Sequence, residues 1–312
     1  MFSPLSVQQN PGGVFDIIDF NNHPGSVFFV RAGSALGQWG AGSDAAGYGL
    51  SPIAPCASLD YAIGLCTASA GDVIYVGPGH TETTTAIAAD VAGIKIIGLG
   101  WGRLTPAITA TTGATDLINV SAANVTLRNL RLVGAASGNT ALVDVSAADF
   151  VGEDLVLEPL AIPLMSVTLS GTSPRGRLER CVFRARTNGP DCAIDIETST
   201  SDDWIVKDCV FDAATVGWDL GVIRANADAA VGWLIKNCQF ISCDTVAVDF
   251  NSSAGASGVD GLVEDCTFIA TAALTSVEDV IDAGRYLFKE CYAHDVTNLT
   301  TAAARVPIGT VS

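Results

Sequence analysis

Residues 204–211 read WIVKDCVF, and nearly the same phrase returns as WLIKNCQF at 233–240, GLVEDCTF at 261–268 and YLFKECYA at 286–293. Upstream, RLERCVF stands at 177–183, GEDLVL at 152–157 and VTLRNLRL at 125–132, with Leu155 and Leu130 in the place that Cys238 takes later. AGIKIIGLG at 92–100 is an earlier, imperfect copy. The copies recur every 25–29 residues, a period that calls for a repeat architecture before any enzyme fold is considered. Leucine-rich repeats share the period but need long Leu-rich stretches, and helical repeats need apolar residues at helix spacing. Neither pattern is present. The phrase is short, β-branched and alternating on both sides of a polar corner.

Read as strand, corner, strand, WLIKNCQF turns Ile235 inward and Lys236 outward, bends at Asn237, and then turns Cys238 and Phe240 inward. The corner residues down the chain are Asn129, Asp154, Arg180, Asp208, Asn237, Asp265 and Glu290. Asn and Asp tolerate left-handed geometry, whereas Arg180 and Glu290 fit it less well. Each copy is then one coil of an all-β, single-stranded parallel β-helix, with successive coils ~4.8 Å apart. Stacking places Phe183, Phe211, Phe240 and Phe268 in one aromatic column and five cysteines in another.

The totals agree. In 312 residues, 49% are hydrophobic but few are large, which suits narrow layers of small side chains. A net charge of −17 opposes nucleic-acid binding and gives little attraction to anionic lipid. No run of 18 apolar residues is present, so no spanning helix and no membrane partner are expected. The first residues lack a basic start followed by an apolar stretch, so no export signal is expected, and Met1 argues against a removed one. Nine cysteines without a CxxC pair, and three histidines, give no support for a zinc cluster. No metal and no cofactor are expected. The cysteines read as buried, reduced thiols, which points to assembly in a cytoplasm.

The ends must be covered against edge-to-edge stacking. Four segments follow: an N-terminal arm and Gly-rich loop over 1–53, a capping helix over 54–72, the parallel β-helix over 73–296, and a tail over 297–312. Cys56, Leu59, Ile63 and Cys66 supply the helix spacing, Ser58 its start and Gly71 its stop.

GDVIYVGPGHTET at 71–83, followed by VAGIKIIGLGWG at 91–102, resembles the opening of the pectate-lyase-like right-handed parallel β-helix proteins. VTLRNLRL and WLIKNCQF are similar to that superfamily's coil phrase, with Asn129 and Asn237 at its corner Asn. The resemblance covers roughly 55–295 and implies a right-handed helix. It is weak for activity, because the superfamily holds lyases, hydrolases, epimerases and virus adhesins. A looser likeness of overall style is to β-helix proteins encoded among tailed-phage structural genes.

Two classes of function compete. The leading expectation is a non-enzymatic structural component of a phage virion, in capsid decoration or the tail, acting as a rigid homo-oligomer with other virion proteins. The trimeric state comes from the phage likeness. The alternative is a polysaccharide-degrading or carbohydrate-binding protein. Its acid–base pair would come from Asp195, Glu197, Asp244 and Asp249; Asp195 and Glu197 share strand parity. Arg224 joins them only where coil positions coincide. Trp204, Trp218 and Trp233 are read either as a sugar-stacking platform or as a structural ladder, and His80 as a turn residue or a ligand.

Overall fold

A computed structural model describes residues 24–300 apart from short segments at 112–115, 135–139, 161–164, 186–189, 198–199, 214–216, 226–230, 244–245, 250–259 and 280–284; strands Val7–Gln9 and Phe15–Ile17 are also described. The tail from 301 and residues 1–6, 10–14 and 18–23 of the arm lie outside the described residues.

The repeated phrase winds as the sequence requires. Its first half forms one face, a ladder of ten strands from Val27–Val30 to Arg285–Lys289 in which strands of consecutive coils lie side by side. Pairing is parallel and in register, so that Leu178, Val206, Ile235 and Val263 stack in one inward column. Its second half forms a second face, which aligns Phe183, Phe211, Phe240 and Phe268. The rings stack at centroid distances of 4.6, 4.8 and 4.8 Å. A third face, from Ile87–Ala89 to Val248–Asp249, closes each coil.

Two corners set the turns. All seven corner residues from Asn129 to Glu290 have φ between 51° and 55°. Arg180 and Glu290 adopt this conformation too, although a Cβ there costs about 1–2 kcal/mol. A second left-handed series, Asn124, Asp149, Arg175, Asp203 and Gly232, turns the chain from the third face into the first. It is followed by the inward residues Val125, Phe150, Gly176, Trp204 and Trp233. Gly176 is a packing position: a Cβ there would lie 2.2 Å from the Trp204 ring. Trp204 and Trp233 stack at 5.7 Å, and their indole N–H groups donate to the Ser173 and Ser201 carbonyls.

The helix is shorter than expected. It spans Leu59–Gly64 rather than 54–72, with the Ser58 hydroxyl accepting from the Tyr61 N–H at 3.4 Å. Cys66 falls beyond its last turn, and Gly71 belongs to the turn before the next strand. Leu59, Ala62 and Ile63 are buried against the N-terminal coils. Among the described residues no helix is long and apolar enough to cross a membrane.

Outward residues of the first two faces carry ion-pair ladders such as Lys236–Glu264–Lys289, and the corner residues Arg180 and Asp154 pair between coils. Exposed pairs of this kind contribute ~0–1 kcal/mol each. The third face differs in its middle coils, where the outer residues Asp144, Thr168 and Asp195 are buried as well.

Candidate functional site

Third-face strands ALVDV (Ala141–Val145), MSVTL (Met165–Leu169), CAIDI (Cys192–Ile196) and GVIRA (Gly221–Ala225) read as short apolar runs interrupted by one polar residue, or by two in MSVTL. Such near-continuous apolar composition marks a parallel strand buried on both faces. Val143, Val167, Ile194 and Ile223 point into the core. Strand alternation then sends the next residue to the outer side. In-register pairing places Asp144, Thr168, Asp195, Arg224 and Asp249 in one outer column. Asp144, Thr168 and Asp195 are buried there, Asp195 to 1% exposure.

Burial governs the electrostatics. Desolvation pushes the Asp195 carboxyl up to about 6, against the pull of the Arg224 guanidinium and with help from Glu197, Asp191 and Asp249. Burial likewise raises Asp144 and, together with the Asp144 charge, Asp116 and Glu197. Asp191 is raised by burial and by Asp219. One guanidinium thus sits among several carboxyl groups. Among the described residues, the Oδ1 atoms of Asp144 and Asp195 and the Ser166 hydroxyl have no hydrogen-bond partner. A carboxyl held partly protonated near neutrality, beside a cation and an ionisable neighbour, can give or take a proton. Asp195 and Asp249 lie two coils apart, ~10 Å along the stack.

The four sequence candidates therefore divide. Asp195 and Asp249 share the column through Arg224, as the condition on coil position required. Glu197 lies just beyond the strand on the exposed side, its N–H donating to the Leu169 carbonyl at 3.1 Å. Asp244 lies outside the described residues. Asp144, Asp116 and Thr168 were not singled out by the sequence reading. The signal for Asp144 and Thr168 was a second repeated phrase, ALVDV, MSVTL, CAIDI, with a polar residue at its fourth place; Asp116, at the first place of DLINV, had no such signal.

The aromatic platform is overturned. Trp204, Trp218 and Trp233 are each at most 1% exposed, so they are core residues that no sugar ring can reach. His80 is a turn residue, fully buried. Its Nδ1 accepts the Ala32 N–H at 2.9 Å, which leaves the proton on Nε2 facing the Glu82 carboxylate at 3.2 Å. Glu82 also accepts the Leu59 N–H at the helix start. This pair ties the first strand, the helix and the GPG turn together. Asp202 accepts the Val231 N–H, and Asp203 and Asp208 occupy left-handed corners, so all three are turn residues.

No protein-family model matches the chain, and no curated protein matches it. Solved structures do. The chain superposes on pectate lyase Pel9A with a TM-score of 0.62 at 8% identity, covering 93% of this chain and 80% of that one. An alginate lyase from Paenibacillus sp. str. FPU-7 gives 0.58 at 14% identity, with 81% and 95% covered. A rhamnogalacturonan lyase gives 0.53 at 14% identity, with 86% and 74% covered. The fold of this chain is the pectate-lyase-like right-handed parallel β-helix.

Proposed function

We propose that this chain is a non-enzymatic structural component of a phage virion, a stiff β-helix that assembles with copies of itself on the capsid exterior or the tail. The observation that carries the reading is the outward surface of the first two faces. Ile205, Leu234 and Leu262 stack on one, Val156, Val182 and Val210 on the other, all only partly covered. Flat, in-register apolar columns make good contact surfaces and poor solvated ones. The buried tryptophans support the same reading, since they remove the aromatic rim that sugar binding was expected to use. The virion setting and the trimeric state rest on the likeness to tailed-phage β-helix proteins. The test is native mass spectrometry of the purified chain, with immunodetection in purified particles. A particle-bound trimer is expected; a soluble monomer that releases reducing ends from polysaccharide overturns it.

The Asp195–Arg224–Asp249 column favours a second reading, action on a carbohydrate polymer. The superposed structures are named as lyases of pectate, alginate and rhamnogalacturonan. Asp195 would then hold the proton, Asp249 and Glu197 would supply the charged partner, and Arg224 would hold an anionic group. Under this reading Asp195→Asn and Asp249→Asn each abolish polymer cleavage while the oligomer persists.

A further inference from the structure

The inner corner of the last five coils holds Cys181, Cys209, Cys238, Cys266 and Cys291 in one column. Parallel pairing fixes this stacking. The Val210 N–H donates to the Cys181 carbonyl at 2.9 Å, Gln239 to Cys209, Thr267 to Cys238 and Tyr292 to Cys266, each at 2.9 Å. The in-register pairing of the residues that follow them sets each thiol over the next. Each also donates weakly to the carbonyl two residues back, at 3.3–3.5 Å. Four of the five are buried, and Cys291 is partly exposed at the C-terminal end of the column.

The spacing decides what such a column can do. Residues stacked in register keep their Cβ atoms about one coil apart, ~4.8 Å. A disulfide needs Cβ atoms ~3.5–4.5 Å apart, so direct oxidation along the column requires backbone movement. All five thiols are free. Among the described residues, no three His, Cys, Asp or Glu side chains converge as metal ligands, so a tetrahedral centre has no donor set. A linear bridge is another matter. Two metal–thiolate bonds of ~2.3 Å placed end to end span ~4.6 Å, close to the coil repeat.

We propose that the cysteine column binds soft, two-coordinate d10 cations, each ion bridging the sulfurs of two neighbouring coils. Soft thiolate donors select such ions. Binding breaks two S–H bonds, forms two metal–sulfur bonds and releases two protons to solvent, with no change of oxidation state. With Hg2+ the bridged unit is neutral and suits an apolar corner. With Ag+ it leaves one buried negative charge, which the corner carboxylates Asp208 and Asp265 oppose, so Hg2+ binds more tightly. Loading begins at Cys291, the exposed end.

A strict counting rule follows, because five thiols in a row hold two non-overlapping neighbour pairs. Cys181→Ala, Cys238→Ala and Cys291→Ala each leave two pairs. Cys209→Ala and Cys266→Ala each leave one. The test is native mass spectrometry of the full chain and these five variants, titrated with HgCl2 and separately with AgNO3 in excess competing thiol. A bridging mercury adds its mass less two protons and carries no competitor, whereas a lone thiol holds mercury as a mixed adduct with the competitor. The four cysteines outside the column give a background common to all variants. The expected losses of bridging mercury, in chain order, are none, one, none, one, none, and the competitor strips silver first. Equal counts across the five variants, or mercury that always carries the competitor, overturn the proposal. Circular dichroism checks each fold, and the Ser variant replaces any Ala variant that unfolds.

Discussion

Truncation of Phe240 to Ala tests the stacked core most directly. Its ring lies 4.8 Å from Phe211 on one side and 4.8 Å from Phe268 on the other, at interplanar angles of 14° and 18°. Phe240 is fully buried. Removing the ring deletes two stacked contacts of ~0.5–1.5 kcal/mol each and leaves a void between neighbours pinned by their own strands. The expected cost is ~3–5 kcal/mol. Phe183 provides an internal control, since it stacks on Phe211 alone and meets Leu157 on the other side. Phe183→Ala should therefore cost less than Phe240→Ala by about one contact, ~0.5–1.5 kcal/mol. Urea unfolding followed by circular dichroism and tryptophan fluorescence measures both, at matched pH. Trp204 and Trp233 report on the same coils, and a solenoid's stability is a sum of coil and interface terms. A loss of under ~1 kcal/mol for Phe240→Ala, or a larger loss for Phe183→Ala, would show that the column does not carry the packing.

Gly176→Ala should destabilise by ~1–3 kcal/mol, because its Cβ meets the Trp204 ring at 2.2 Å and the ring is held by its own N–H bond; thermal melts check this. Glu290→Gly should stabilise by up to ~1 kcal/mol in the same melts, since it relieves a left-handed corner at φ 53°. The buried column gives a pH dependence with a defined sign. The folded-state pKa of Asp195 is raised above its ordinary value, so its contribution is fully present below about pH 4 and lost as pH rises through about 6. Asp195→Asn should make that slope shallower, leaving the share of Asp144, Asp116, Asp191 and Glu197, and stabilise the chain at pH 8 by on the order of 2 kcal/mol; urea midpoints at pH 4, 6 and 8 measure it.

The sequence by itself determined the winding. A phrase that repeats once per coil carries its own strand alternation and corner, and stacked copies must align wherever the phrase aligns. That is why Phe over Phe, Cys over Cys and the left-handed corners from Asn129 to Glu290 were legible without coordinates. Even Arg180 and Glu290 obey the corner, because neighbouring coils over-determine a conformation that their own side chains disfavour. The tertiary structure decided what the phrase does not contain. Segments of varying length separate the second face from the third, so the register that brings Asp195, Arg224 and Asp249 into one column depends on how each closes. Burial on the outer side of that face, the depth of the three tryptophans and the shortness of the helix likewise depend on contacts between distant residues. Alternation along a strand distinguishes its two sides, but only the packed molecule fixes which side meets water.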